Sequence, residues 1–255
     1  MLKLFKKPII VLFSFTTANI LLSAATPTVP LKRSTEYSSQ ASRALSSHYS
    51  TLDNVSIFGN QATVKDTGQP FTGTYVEFDI IGNAQAVRNY QNGTLNGPMF
   101  MYDNGSLSKV SNYSNGIREG EEVEFYRNGN SRIIRYYKND MLNGKTKSYY
   151  SNGIVHLDGN YTYNLRDGQW IWNYENGTKK LIENYKNGTI TNITGYSKSG
   201  KKEREMKLDN GNGTFTQYYD NGKVRTQGTL RYYKPYGTWT SYSQDGYVTD
   251  TQGFY

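Results

Sequence analysis

Apolar and polar residues alternate in short segments along most of this chain, and glycine-containing turns separate the segments. Many segments end in aromatic residues, as in QWIWNY (169–174) and TFTQYY (214–219). Asn-Gly or Asp-Gly follows at close range, and such pairs favour the tight turns of β-hairpins because glycine has no Cβ. Alternating segments bounded by these turns predict antiparallel strands.

A glycine closes one turn in every 22 to 24 residues. These turn glycines are Gly82, Gly105, Gly129, Gly153, Gly177, Gly200, Gly222 and Gly246. A second series of glycines marks the ends of the units, with Asn192 once in place of glycine. A fixed period in this range is typical of repeat architectures. We therefore predict an all-β fold in which tandem β-hairpins form an elongated, twisted, single-layer antiparallel sheet over residues 73–255.

Large side chains recur at fixed distances from each turn glycine. Eight residues after it stand Tyr90, Tyr113, Tyr137, Tyr161, Tyr185, Leu208, Leu230 and Phe254. Aromatic residues also predominate three and four residues before it, at neighbouring positions that point to opposite faces of a strand. Both faces of the sheet are therefore expected to carry aromatic rows. Tyr161, at the centre of the first row, is expected to stabilise the fold.

The first 25 residues differ from the rest of the chain. Three lysines precede an apolar stretch, and the small residues Ser23 and Ala25 follow it. This pattern predicts a cleaved secretory signal peptide over residues 1–25, with a retained membrane anchor as the alternative. We therefore expect export to the periplasm, the cell surface or the medium. Loss of the three lysines lowers the formal net charge from +8 to +5, which does not indicate nucleic-acid binding.

Residues 26–72 are predicted to be a linker followed by a short lead-in hairpin. The linker or stalk is rich in serine and threonine up to Ser50, with one short helical turn as an alternative within it, and Tyr37 is expected to contribute almost nothing to stability. The hairpin is predicted over 55–64, with its turn at Gly59-Asn60. The chain has no cysteine, so disulfide bonds do not contribute to its stability.

Few residues are placed for chemistry. The two histidines, His48 and His156, are interpreted as exposed, and no His, Cys or acidic cluster has the spacing of a metal site. The acidic run at 118–125 is interpreted as a solvated strand face, although Glu122 and Glu124 point to the same side. We therefore predict a protein that is not an enzyme and that has no catalytic residues, metal or cofactor.

Aromatic residues of the later repeats form a candidate binding face. Trp170, Trp172 and Tyr174 alternate, and Trp239 occupies the same repeat position as Trp170. The rings are either buried where the sheet curls or exposed as a platform for sugar rings or peptides. The full set is Trp170, Trp172, Tyr174, Phe215, Tyr219 and Trp239.

The unit Tyr-Tyr-x-Asn-Gly, followed by Tyr-x-Asn-Gly, resembles the variant MORN repeat of bacterial exported repeat proteins. The resemblance covers residues 73–255 and is weakest at 192–213, where SGKKEREMKL lacks tyrosine. It implies a chain of β-hairpins. Many such proteins are antitoxin-like members of toxin–antitoxin systems, and the wider MORN family is linked to membrane association and to protein contacts.

Three functional classes follow from these observations. The first is an interaction scaffold for a protein partner, including an immunity-like role beside a toxin. The second is a carbohydrate or cell-envelope binding module, and the third is association with a membrane surface. Nucleic acid is not expected as a partner. The last strand, which ends at Tyr255, carries little charge to protect its edge, so self-association or pairing with a partner strand is a further expectation.

Overall fold

The computed structural model describes residues 30–46, 49–51 and 53–255. The predicted signal peptide and His48 lie outside the described residues. One α-helix, α1, spans Ser34–Ser46 and precedes the sheet. The strands are β1 (Tyr49–Ser50), β2 (Val55–Phe58), β3 (Gln61–Val64), β4 (Gly73–Phe78), β5 (Ala84–Gln91), β6 (Thr94–Leu95), β7 (Gly97–Asp103), β8 (Ser106–Ser114), β9 (Ile117–Arg118), β10 (Gly120–Phe125), β11 (Ser131–Lys138), β12 (Met141–Leu142), β13 (Gly144–Tyr149), β14 (Val155–Thr162), β15 (Leu165–Asn173), β16 (Lys179–Lys186), β17 (Thr189–Tyr196), β18 (Lys202–Asp209), β19 (Asn212–Tyr218), β20 (Val224–Arg231), β21 (Lys234–Tyr242) and β22 (Val248–Phe254).

Successive hairpins add to one antiparallel sheet, as predicted from the sequence. The short strands β6, β9 and β12 extend β7, β10 and β13 across a one-residue interruption. The short strand β1 is an exception, because it pairs in parallel with β4. The hairpin predicted over 55–64 is present as β2 and β3.

Two kinds of turn alternate along the sheet and therefore define its two edges. On the glycine-turn edge, a type I turn precedes a left-handed glycine: the N–H of Gly129 (φ 83°) donates to the carbonyl of Tyr126 at 2.9 Å. On the type I′ edge, both central residues have positive φ, as at Asn187-Gly188 (49° and 79°). The turn at Asn104-Gly105 departs from this alternation, because Asn104 also has positive φ (48°).

The register of the sheet explains the second series of glycines. Each of these glycines pairs with a residue of the row eight positions after a turn glycine, and the absent side chain leaves room for the larger partner. The pairs are Gly73–Tyr90, Gly97–Tyr113, Gly120–Tyr137, Gly144–Tyr161, Gly168–Tyr185, Gly213–Leu230 and Gly237–Phe254. Asn192 interrupts the series because β17 carries an extra residue, Thr191, against β16.

The two faces of the sheet differ in what covers them. Face A carries the row of Tyr90 and its equivalents. Face B carries a central ladder of residues that are paired in register from strand to strand. The ladder runs through Val76, Val87, Phe100, Val110, Val123, Ile134, Lys147, Asp158, Ile171, Ile182, Thr194, Glu205, Thr216, Gln227, Thr240 and Thr251.

The main hydrophobic core lies between α1 and the first six residues of this ladder. Ala41 is buried in the core, and Tyr37, Ala44 and Leu45 pack against it. These four residues recur at the spacing that places side chains on one side of a helix. The helix begins with a capping interaction, in which the backbone N–H of Arg33 donates to the carboxylate of Glu36 at 3.0 Å.

Residues 34–46 therefore form a helix of 13 residues that packs on the sheet, and not a linker with one short helical turn. The contacts of Tyr37 argue against the expectation that it contributes almost nothing. The Tyr37 hydroxyl donates to Glu121 at 2.5 Å, and its ring packs edge-on against Phe125 at 5.6 Å. Lys32 and Tyr136 also donate to Glu121, at 2.6 and 2.8 Å. Long-range contacts hold α1 in place. The local composition that suggested a linker does not reveal such contacts.

Candidate binding surface

Among the predicted binding residues, Trp170 is a structural residue. It is only 1% exposed, and its Nε1–H donates to the carbonyl of Asn160 at 3.1 Å. The ring lies against Gly159, where an added Cβ would be 2.5 Å from it. Of the two interpretations of the aromatic face, burial applies to Trp170.

Trp172 is half-buried beside a cation held between aromatic rings. The Arg166 guanidinium lies 4.5 Å from the Trp170 ring centre and 5.5 Å from that of Trp172. Arg166 also donates to the Tyr185 hydroxyl at 2.8 Å, and that hydroxyl donates to Glu183 at 2.7 Å. Burial and the hydrogen bond to Glu183 raise the pKa of Tyr185 above its usual value, although Arg166 opposes the rise. These groups satisfy one another, so the cluster stabilises face A.

Phe215 and Trp239 form a second aromatic pair on face A. Their rings stack at 5.2 Å, and the Trp239 Nε1–H donates to the carbonyl of Thr229 at 3.0 Å. Trp239 lies over Gly228 as Trp170 lies over Gly159. Both residues of the pair are half-exposed.

Tyr174 and Tyr219 link neighbouring repeats along the glycine-turn edge. The Tyr174 hydroxyl donates to the carbonyl of Tyr196 at 3.0 Å, and that of Tyr219 to the carbonyl of Tyr242 at 2.7 Å. In earlier repeats, the hydroxyls of Tyr126 and Tyr150 donate in the same way to the carbonyls of Tyr149 and Asn173, both at 2.8 Å. These tyrosines, three residues before the turn glycine, lie in the turns and not on a strand face. The residues four before it do form a second aromatic row, on face B, where Phe125 and Tyr149 join the core and Tyr218 and Tyr242 contact the ladder residues Glu205 and Gln227.

The asparagines of the same turns also link each repeat to the next. The Nδ2 groups of Asn128 and Asn176 donate to backbone carbonyls of the next repeat, at 2.8 and 3.2 Å. The repeated Tyr-x-Asn-Gly sequence thus supplies a turn glycine and two side chains that bond to the next turn. This explains why the sequence recurs from repeat to repeat.

Across strands β19, β20 and β21, face B carries a groove lined by hydroxyl groups. The groove has a volume of about 370 Å³. It carries no charged side chain, and we call it the hydroxyl groove. Its polar lining residues are Thr214, Thr216, Gln227, Thr229, Thr238 and Thr240.

Beside this groove, the type I′ turn at Tyr232-Tyr233 presents exposed aromatic rings. Tyr232 and Tyr233 are 68% and 57% exposed, and nearby Tyr236 is 43% exposed. Both turn residues have the positive φ that favours glycine, 51° and 64°. We call these three tyrosines, together with the flanking Arg231 and Lys234, the tyrosine ledge.

The ledge also contains two positive charges that face each other. Arg231 pairs directly with Lys234 across the turn. The Arg231 guanidinium lies 5.2 Å from the Tyr236 ring centre and 5.8 Å from that of Tyr232. Within the described residues neither cation forms an ion pair.

The sequence carries a local signal for this site. Asn-Gly or a related pair occupies most of the equivalent turns, so two consecutive tyrosines there are conspicuous. The turn position itself follows from the repeat. The exposure of the rings and of the two cations can be seen only in the structure.

The acidic run at 118–125 is not a solvated strand face. Glu122 is 3% exposed and lies 2.9 Å from Lys109 and 3.2 Å from Arg135. Burial opposes its ionisation, but the hydrogen bond and charge of Lys109 hold its pKa below the usual value. Glu121 bonds to residues of the α1 segment on the opposite face. Both glutamates are therefore structural ion-pair partners.

His156 is half-buried, which corrects its interpretation as exposed. Its Nδ1 lies 3.1 Å from the Ser148 hydroxyl, and its ring lies 4.8 Å from that of Tyr150. Burial and the positive charge of Lys180 lower its pKa. The described part of the chain contains no cluster of His, Asp or Glu that would hold a metal ion. Within that part, no helix is long and apolar enough to cross a membrane.

Comparison with known families places a MORN repeat variant in the middle and later repeats. The family model described as MORN repeat variant matches residues 118–139, 142–163, 166–187 and 211–232. The unmatched interval 188–210 contains Asn192 and the extra residue of β17. These segments support a repeat protein of MORN type. No curated protein matches the chain.

Proposed function

We propose that this protein is a non-enzymatic scaffold that binds a protein partner through the tyrosine ledge. The observation that carries the proposal is the cluster of three exposed tyrosines, Tyr232, Tyr233 and Tyr236, around Arg231 at one left-handed turn. A left-handed backbone costs a non-glycine residue about 1–2 kcal/mol. Asn-Gly at Asn187-Gly188 forms the same turn with less strain. Strain that is retained at an exposed position supports a functional role.

The chemistry of the ledge supports a protein partner in particular. Tyrosine and arginine are enriched among the residues that dominate protein interfaces. Here Arg231 lies against two tyrosine rings, so its guanidinium is oriented before a partner binds. The ledge turn is bonded to the preceding turn of the same edge, because the backbone N–H of Tyr233 donates to the carbonyl of Gly211 at 2.7 Å, which supplies a rigid base.

The test compares two turn variants of the same kind. Tyr232→Asn/Tyr233→Gly restores Asn-Gly at the ledge, and Tyr163→Asn/Asn164→Gly does so at a second strained turn (φ 47° and 65°). Relief of strain stabilises both variants, whereas the ledge variant loses the contact of the Tyr233 ring with Gly211 and the control loses the hydrogen bond from the Leu142 N–H to Asn164 Oδ1. Both should therefore stay folded, with melting temperatures close to that of the wild type. Partner capture by the immobilised chain, followed by titration of the identified protein, should be lost only in the ledge variant. Unchanged binding by that variant would contradict the proposal.

The hydroxyl groove favours carbohydrate binding as the second candidate function. Its uncharged hydroxyl and amide groups lie next to exposed tyrosine rings, a combination suited to a sugar. Co-sedimentation with cell-wall polysaccharide tests this candidate. Binding that is abolished by Thr216→Val/Thr240→Val but kept in the ledge variant would favour the carbohydrate function over the protein scaffold.

We also propose that the chain is exported and that its partner is met outside the cytoplasm. The support is the sequence pattern of residues 1–25, which is typical of a signal peptide. N-terminal sequencing should find Ala25 or Thr26 first in the mature protein, whereas a retained Met1 on a membrane-bound product would favour an anchor. An immunity-like role is the specific form suggested by the resemblance to antitoxin-like repeats. A gene for a secreted toxin beside this one would support that role.

A further inference from the structure

The turn at Tyr232-Tyr233 combines three features that are locally unfavourable for folding. Both tyrosines adopt the left-handed conformation, and Arg231 pairs directly with Lys234 across the turn. Like charges directly opposite each other on a hairpin are destabilising. At the other turns with two positive φ values the flanking pair is not a pair of like charges: Gln91–Thr94, Asp103–Ser106, Ser114–Ile117, Lys138–Met141, Thr162–Leu165, Lys186–Thr189 and Asp209–Asn212.

An anionic group placed between Arg231 and Lys234 would offset the repulsion between them. The Arg231 guanidinium lies against the rings of Tyr232 and Tyr236. These contacts orient it, and its N–H groups can still donate to a ligand. Lys234 supplies a second, mobile cation beside it. A carboxylate accepts from both, and the rings can cover an apolar neighbour of that carboxylate.

We propose that Arg231 and Lys234 bind the carboxylates of an acidic segment of the partner protein, with Tyr232 and Tyr236 contacting its apolar side chains. This inference rests on the proposed function and names the chemistry of the partner. The charges are complementary, because the described structure supplies no ion-pair partner to either cation. The adjoining hydroxyl groove offers neutral hydrogen-bonding groups to the continuing backbone of the segment.

The experiment pans a random dodecapeptide library against the full chain. Binders to the wild type should be enriched in Asp and Glu, and Arg231→Gln/Lys234→Gln should weaken a synthesised binder by about tenfold, the effect of losing two exposed ion pairs. Binding should also weaken as salt is added. The matched control is Lys186→Gln, which removes a cation beside the Asn187-Gly188 turn and should leave the affinity unchanged. The double variant relieves repulsion, so its melting temperature should not fall.

Binders without acidic residues, or acidic binders that tolerate the double variant, would overturn the inference. Sedimentation with anionic phospholipid vesicles, if it required both cations while acidic peptides failed to compete, would overturn it as well. Loss of partner capture in Tyr232→Asn/Tyr233→Gly but not in Arg231→Gln/Lys234→Gln would leave the proposed function standing without its acidic partner. If neither variant affected capture, both proposals would fail.

Discussion

The first and last parts of the central ladder have the same antiparallel strand pairing but are stabilised differently. The first six residues are apolar, and α1 covers them. The last six are Thr194, Glu205, Thr216, Gln227, Thr240 and Thr251, and no helix of the described chain packs on them. Hydrogen bonds between turns and stacked rings on face A hold the later repeats. The difference shows how one repeat builds a core in one part of the molecule and leaves a polar surface in another.

The largest expected effect is the loss of a core side chain on the ladder. Phe100 is fully buried, so Phe100→Ala should lower the free energy of unfolding by about 3–5 kcal/mol. Thr216 occupies an equivalent ladder position in the later repeats and is half-exposed. Thr216→Ala should therefore change the free energy of unfolding by less than about 0.5 kcal/mol. Denaturant melts would measure both, and equal losses would remove the distinction between the two regions.

The two tryptophans at equivalent repeat positions provide the next comparison. Trp170→Ala should cost about 3–5 kcal/mol, because the side chain is buried and bonded to Asn160. Trp239→Ala should cost less, since Trp239 is half-exposed. Thermal unfolding of both variants tests the order. A larger loss for Trp239 would mean that the later repeats contain a core of their own.

The docking of α1 should depend on pH through Glu121. Burial raises the pKa of this carboxyl group, but hydrogen bonds from Lys32, Tyr37 and Tyr136 outweigh burial and lower it below its usual 4.5. The lowered pKa stabilises the folded state above pH 4.5, and this stability is lost as the pH falls through the folded pKa.

Glu121→Gln should therefore cost about 2 kcal/mol at neutral pH and flatten the acid dependence, as measured by denaturant melts across the pH range. Glu205→Gln is the matched control on the uncovered part of the ladder. It should have little effect, because its ion pair with Lys202 is partly solvated. Equal acid sensitivity in the wild type and in Glu121→Gln would show that Glu121 does not secure the helix.

A smaller effect is expected from the tyrosines that join the turns. Tyr150→Phe removes the hydroxyl bonded to the Asn173 carbonyl and should cost about 1 kcal/mol. Tyr219→Phe removes the equivalent bond in the later repeats, which α1 does not cover, and should cost a similar amount. Differential melting of the two variants measures this. No change in either would mean that the turns are not coupled by these hydroxyls.

Repeats, turns and strand order could be predicted from the sequence because they depend on local and periodic features. The turn glycines at 22-to-24-residue intervals all adopt positive φ, as at Gly153 and Gly222. The register places the large row opposite the second glycines, and its burial varies from Tyr90, which is 3% exposed, to half-buried Tyr161. The spacing alone does not fix how strongly each position is covered.

Long-range packing and charge pairing could not be predicted in the same way. The α1 segment has a weak local signal, namely the apolar spacing of Tyr37, Ala41, Ala44 and Leu45, and its partner residues are distant in the chain. Glu122 is buried because Lys109 and Arg135 arrive from neighbouring strands. The aromatic residues of the predicted binding face were reassigned because Tyr174 and Tyr219 lie in turns, where their hydroxyls reach the next repeat.

Native-state hydrogen exchange of the full chain tests the difference between the two regions most directly. Amides of β4–β11 lie beneath or beside the core and should exchange only through global unfolding. Amides of β17–β22 should exchange through a local opening of lower free energy, because each repeat there is held mainly by its neighbours. A single free energy of exchange for both regions would contradict the account, since the uncovered repeats would then be as firmly stabilised as those beneath α1.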